Sequence, residues 1–123
     1  MPMFARLMLA AGALVMALGV AAGAYASHAV KDAAHADAPR LLQTAVLYML
    51  VHGLGIIAAG ILSRTVVSPW LLASAALHLA GIVLFCGSLW VLATSGRSLG
   101  VAPVGGICFI LGWLAFAGYA IAA

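Results

Sequence analysis

His52 follows Tyr48 by four residues and Thr44 by eight, inside a run that carries no charge from Leu41 to Ser63. On a helix these three side chains, continued by Gly55, fall along one side. An imidazole held away from bulk water must face other protein groups and find a polar partner. Tyr48 lies one turn away, and Ser74, His78 and Ser88 stand in a later apolar run. Two chemistries follow. A neutral histidine can tie helices together through hydrogen bonds worth ~0.6 kcal/mol each in a membrane. Alternatively, it can relay a proton or hold a ligand. No carboxylate accompanies the stripe, so the structural role is the expectation.

His78 raises metal ligation. Counted from the short connection they share, it lies at a depth similar to His52, and two such imidazoles can grip a haem iron axially. A haem also needs a wide cavity, whereas this sequence is rich in small residues suited to narrow seams, so no cofactor is expected. Quinone binding is a further alternative of the same low standing. His28 and His35, beside Asp32 and Asp37, have the residue types of a surface metal site. They occupy a polar connection where solvation accounts for them, and no metal is expected. No Asp or Glu interrupts an apolar run, which disfavours a proton-coupled antiporter. There is no H-E-x-x-H, G-x-S-x-G or phosphate loop, so no catalytic residue is assigned. Cys86 and Cys108 lie in apolar runs, where thiols act as small hydrophobes, and both are expected to be free.

The elements that carry these residues are set by the charges. None falls between Leu7 and Val30, Leu41 and Ser63, Thr65 and Gly96, or from Ser98 onward. Each interval reaches the roughly 20 residues that an α-helix needs to cross a hydrocarbon core. With 67% hydrophobic and 6% charged residues over 123 positions, the composition is that of a membrane protein. The expected fold is all-α: one domain, residues 1–123, of four transmembrane helices near 6–28, 41–63, 69–93 and 101–122. Short connections imply an antiparallel up-down-up-down bundle. Pro39, Pro69 and Pro103 stand where they can open the second, third and fourth helices. Ala24-Tyr25-Ala26 before Ser27 has the form of a signal-peptide cleavage site, but the length of the run and its glycines favour a retained first helix.

The net charge of +3 leaves the basic residues dispersed, with Arg6, Lys31, Arg40, Arg64 and Arg97 near helix ends. That spacing suits headgroup anchoring and sets nucleic acid aside as a partner. It divides too evenly between the two sides to fix an orientation. Trp70 and Trp90 fall near opposite ends of the third helix, as aromatic belts require, while Trp113 lies deep in the fourth. Small residues recur at packing spacings: Gly12, Gly19 and Gly23; Gly53 and Gly60; Ser74, Gly81 and Ser88; Gly105, Gly112 and Gly118. In lipid such faces bring helices together, since apolar burial cannot.

Four segments carry a resemblance to a known family: Gly23-Ala24-Tyr25-Ala26-Ser27-His28; Thr44 to Tyr48 with His52; Gly81 through Leu84-Phe85-Cys86-Gly87-Ser88-Leu89; and Ala102-Pro103-Val104-Gly105-Gly106 leading to Gly112-Trp113. In this order the chain resembles domain of unknown function 423, small four-helix membrane proteins, mostly bacterial, over about Gly12 to Ala120. The resemblance implies an inner-membrane location and supplies no activity. It covers His28, Tyr48, His52, Ser88 and the Pro103-Gly105-Gly106 turn, while His78 departs from the apolar residue expected there. Together with the stripe it suggests a shallow polar pocket of His28, Thr44, Tyr48, Ser88, Gly105 and Gly106, with His52 at its floor. The expected function is a non-enzymatic packing or interaction role in the lipid bilayer, as a homo-oligomer or with other membrane proteins. The alternative is a transport or channel subunit using the pocket around His52.

Overall fold

The computed structural model describes residues 1–28 and 36–122. These form four long helices: α1 (Met3–His28), α2 (Ala38–Leu62), α3 (Pro69–Ser95) and α4 (Ala102–Ala122). Among the described residues there is no strand. All four helices are long and apolar enough to cross a membrane. The shortest, at 21 residues, spans about 31 Å at about 1.5 Å per residue, close to the thickness of a hydrocarbon core.

Helix boundaries differ from the charge-to-charge reading by up to three residues, chiefly at the starts of α1 and α2. Arg6 and Arg40 do not end their helices but lie within the first turns, where a long basic side chain can reach toward headgroups. Local chemistry sets the remaining ends. Pro39 occupies the first turn of α2, where its missing N–H breaks no helical bond. Ser68 caps α3 by accepting a hydrogen bond from the Trp70 amide at 3.2 Å. Gly96, at φ 74°, closes α3 in the left-handed conformation that favours glycine.

One feature of α3 departs from the uninterrupted helix expected over 69–93. The chain is α-helical over Pro69–Gly81, turns as a π-helix over Ile82–Cys86, and resumes as an α-helix over Gly87–Ser95. The wider turn lies where α3 meets α4 most closely. A Cβ at Gly105 would collide with the Phe85 backbone, and one at Gly81 would collide with the Phe109 ring.

Glycines make the seams. In the α1–α2 seam, a Cβ at Gly12 would lie 2.5 Å from Ile57 Cγ1 and 3.1 Å from the Gly53 carbonyl oxygen. Further along the same seam, Gly19 faces Leu50 and Gly60 faces Leu9. Between α3 and α4, Gly118 faces Trp70, Gly112 faces His78, and Gly105 faces Phe85. On each seam, higher numbers on one helix meet lower numbers on its neighbour. Helices α2 and α3 form the central pair, with α1 packed along α2 and α4 along α3. One core joins Met8, Val15, Ile56, Ala59, Leu71, Ala75, Ile82 and Phe109. A smaller one gathers Ala38, Leu41, Leu42 and Ala93 at the end of the bundle where α2 begins.

Candidate functional site

Three helices meet around two imidazoles. His52 comes from α2, His78 from α3, and Phe109 and Trp113 from α4. His52 is buried, and its Nδ1 lies 2.7 Å from the Tyr48 carbonyl oxygen one turn earlier. A carbonyl only accepts, so Nδ1 carries the proton and donates, which leaves Nε2 as the ring's acceptor. The expected interhelical hydrogen bond from His52 to Ser74, His78 or Ser88 is not what forms. The ring instead stacks flat on Phe109, with centroids 3.6 Å apart and planes 15° apart. Its contact with His78 is edge-on, at 5.3 Å and 64°. The helix-joining role is therefore performed by ring packing.

His78 is enclosed entirely. Its ring fits between two glycines on opposite helices. A Cβ on Gly55 of α2 would lie 2.9 Å from Cε1 and Nδ1, and one on Gly112 of α4 would lie 2.5 Å from Cδ2. Trp113 packs beside the ring, with centroids 4.5 Å apart, and its own outer part is exposed. Among the described residues, neither ring nitrogen of His78 has a hydrogen-bond partner, and neither does the hydroxyl of Ser74, one turn earlier on the same side of α3. Three orphaned polar atoms thus lie together in the interior, a costly arrangement by the ordinary rule for buried polar groups.

The other expected site residues divide. Tyr48 is about a third exposed and lies against Phe85, with centroids 4.8 Å apart, as well as against His52 and Phe109. Gly105 packs beneath Phe85, so it belongs to the same neighbourhood, whereas a Cβ on Gly106 would meet open space. Ser88 is buried in α3. The Thr44 hydroxyl donates to the Arg40 carbonyl on its own helix, at 3.0 Å. His28 is exposed at the end of α1. The structure thus groups Tyr48, His52 and Gly105 around two phenylalanines and does not bring His28 or Thr44 to them. A cleft of ≈ 310 Å³ bordered by Leu47, Tyr48, Val51 and His52 opens on the outer side of α2.

The ligation ideas are limited by this geometry. A haem would need its macrocycle between the imidazoles, yet these rings touch edge to face and two glycine backbones close on His78. Among the described residues, no group of three or more His, Cys, Asp or Glu could hold a metal ion. His35 and Asp32, two of the four residues weighed for a surface metal site, lie outside the described residues. Cys86 is buried, Cys108 is partly exposed, and both are free. Sequence reasoning missed the Gly55–His78–Gly112 clamp and the role of Phe109. The available signal was the placement of glycines at matching depths on both neighbours of His78.

Residues 22–106 match the model of a family described as "Protein of unknown function (DUF423)". The chain belongs to that family. It is similar to a UPF0382 membrane protein of Staphylococcus saprophyticus, 38% identical over 84% of this chain and 87% of that protein. A UPF0382 membrane protein of Staphylococcus haemolyticus is 36% identical over 89% of this chain and 90% of its own length. The UPF0382 inner membrane protein YgdD of Escherichia coli K12 is 34% identical over 90% of this chain and 86% of its own. No solved structure matches. With four helices of spanning length and this family, the chain is an integral membrane protein. The DUF423 match takes in His28, Thr44, Tyr48, His52, Ser88, Gly105 and Gly106; Phe109, Gly112 and Trp113 lie just beyond it.

Proposed function

We propose that this DUF423 protein is a non-enzymatic packing and interaction protein of the bacterial inner membrane. Its helices cross in alternate directions, and its partner is a second copy or another membrane protein. One observation carries the reading: the polar side chains in the middle of the bundle, His52, Ser74, His78 and Ser88, are buried, while large apolar side chains face outward. His78 and Ser74 are fully enclosed, whereas Leu14 and Leu18 of α1 and Ile110 and Leu114 of α4 are all at least 60% exposed. The falling order of contacts along each seam supports the alternating directions. The location is supported by the inner membrane protein of Escherichia coli to which the chain is similar. The test is photocrosslinking from Leu14, Leu18, Ile110 and Leu114 in native membranes. A discrete polypeptide adduct from one of these two faces is expected, and the absence of any protein adduct from all four positions would refute the role.

A second reading, a transport or channel subunit working through a polar pocket around His52, is favoured by the orphaned atoms of Ser74 and His78. Polar atoms without fixed partners suit a passing proton or solute better than a static core does. The pocket would draw on Tyr48, Ser88, Gly105 and Gly106, with His28 and Thr44 nearer the membrane surface. Flux into proteoliposomes that disappears in His52→Phe, a variant retaining the stack on Phe109, would select this reading over the first.

A further inference from the structure

A second cavity lies on the other side of the bundle, between α1 and α3. It measures ≈ 590 Å³, and its walls include Leu18 and Ala22 of α1, Met49 of α2, and Ile82, Gly87 and Trp90 of α3. Its cause is local. Both α1 and α3 pack on α2 and are not seated on one another there. Small residues on both walls leave room among the larger ones: Ala21 and Ala22 on α1, and Gly87 on α3, where a Cβ would meet nothing within 4 Å. The π turn that forms the floor at Ile82 and Cys86 is packed hard against α4, leaving its opposite side open toward α1.

The shape selects an occupant. Toward the start of α1 the space closes, because Met8 and Val15 join Leu71, Ala75 and Ile56 in a single core. Toward the other end it runs up to Tyr25 and Trp90, whose rings pack together with centroids 5.3 Å apart. That end is where Ala26, Leu41, Leu42 and Ala93 converge, close in sequence to Arg40 and Asp37. Tyrosine and tryptophan paired at the end of a span mark the headgroup level. The cavity is therefore a slot reaching part-way through the bilayer from one surface, apolar in its depth and amphipathic at its mouth. From Trp90 to Ile82 it runs about 12 Å at about 1.5 Å per residue. A transmembrane helix would need a groove open through the whole thickness, and this one is not.

We infer that the α1–α3 slot holds one acyl chain of a membrane phospholipid, with the headgroup beside Tyr25 and Trp90 and the tail lying over Met49, Ile82 and Cys86. The volume falls within the range of about 300–1,000 Å³ typical of small-molecule sites. This inference does not rest on the proposed interaction role, although Leu18 borders both the slot and the outward face of α1.

The experiment places the full-length protein in phosphatidylethanolamine–phosphatidylglycerol vesicles containing a phospholipid with a mid-chain diazirine. Adducts are then mapped by peptide mass spectrometry. Adducts are expected on the floor of the slot at Met49, a half-buried residue of α2 lying between α1 and α3. Gly87→Leu, which fills the slot, should abolish them, and so should Ala22→Leu from the opposite wall. Ala117→Leu, which adds the same bulk to an exposed position on α4, should retain them. Adducts confined to outward residues such as Leu14 and Ile110 would overturn the inference, and so would floor adducts that persist in both filled variants.

Discussion

Gly112→Ala tests the clamp on His78 at a single atom. The added Cβ would lie 2.5 Å from His78 Cδ2 and 2.7 Å from Nε2. Carbon atoms rest at about 3.5–4.0 Å, so the ring would have to retreat by roughly an ångström. It has nowhere to go, because Gly55 already closes on its other edge. Overfilling a packed site costs about 1–3 kcal/mol. Replacing glycine by alanine in a helix returns about 0.8–1 kcal/mol. Gly87→Ala gains the second term without the first, since nothing lies within 4 Å of its Cβ. The two variants should therefore differ by about 1–3 kcal/mol in SDS-driven unfolding, with Gly112→Ala the less stable. Trimming the ring with His78→Ala should remove the penalty, giving a coupling of similar size in a double-mutant cycle. Equal stability of Gly112→Ala and Gly87→Ala, or a cycle with no coupling, would refute the clamp.

Three further outcomes follow. Ser74→Ala should be neutral or stabilising by up to about 1 kcal/mol, because its hydroxyl is buried without a partner; a clear loss in the same unfolding assay would show that the hydroxyl is bonded. Phe109→Ala should destabilise, but by less than the about 3–5 kcal/mol seen in soluble cores. The unfolded reference in lipid already satisfies apolar surface, so only ring packing on His52, Tyr48 and Phe85 is lost; a cost equal to the soluble value would contradict this. Thiol titration after unfolding should count two free cysteines with or without prior reduction, and a lower count before reduction would contradict the free state of Cys86 and Cys108.

The spans were legible because charge is so costly in lipid that its absence marks the crossing segments directly. Their ends were less so, since Arg6 and Arg40 can sit on helical turns and still reach the surface. The small-residue faces were legible for the same reason that they work: Gly12, Gly53, Gly60, Gly105, Gly112 and Gly118 all meet a neighbouring helix. The Thr44–Tyr48–His52 stripe is looser than its four-residue steps suggest. Eight residues at about 3.6 per turn rotate the helix by roughly 80° beyond two full turns, so Thr44 and His52 do not share a direction. Thr44 bonds its own backbone, while His52 turns to Phe109. The π turn had no sequence signal, since it lies in a tertiary seam between Gly81, Phe85, Gly105 and Phe109. His78 was visible as a residue but not as the centre of three helices, because its setting depends on glycines from two different neighbours.

The central claim is that the mid-membrane imidazoles serve packing in a dry interior. Water-edited solid-state NMR on the protein with ¹⁵N-labelled histidine in bilayers tests it most directly. The ring signals of His52 and His78 should receive no early polarisation from water, while that of exposed His28 should receive it promptly. Rapid transfer from water to the His78 ring would contradict the account and place an aqueous path where it requires a sealed one.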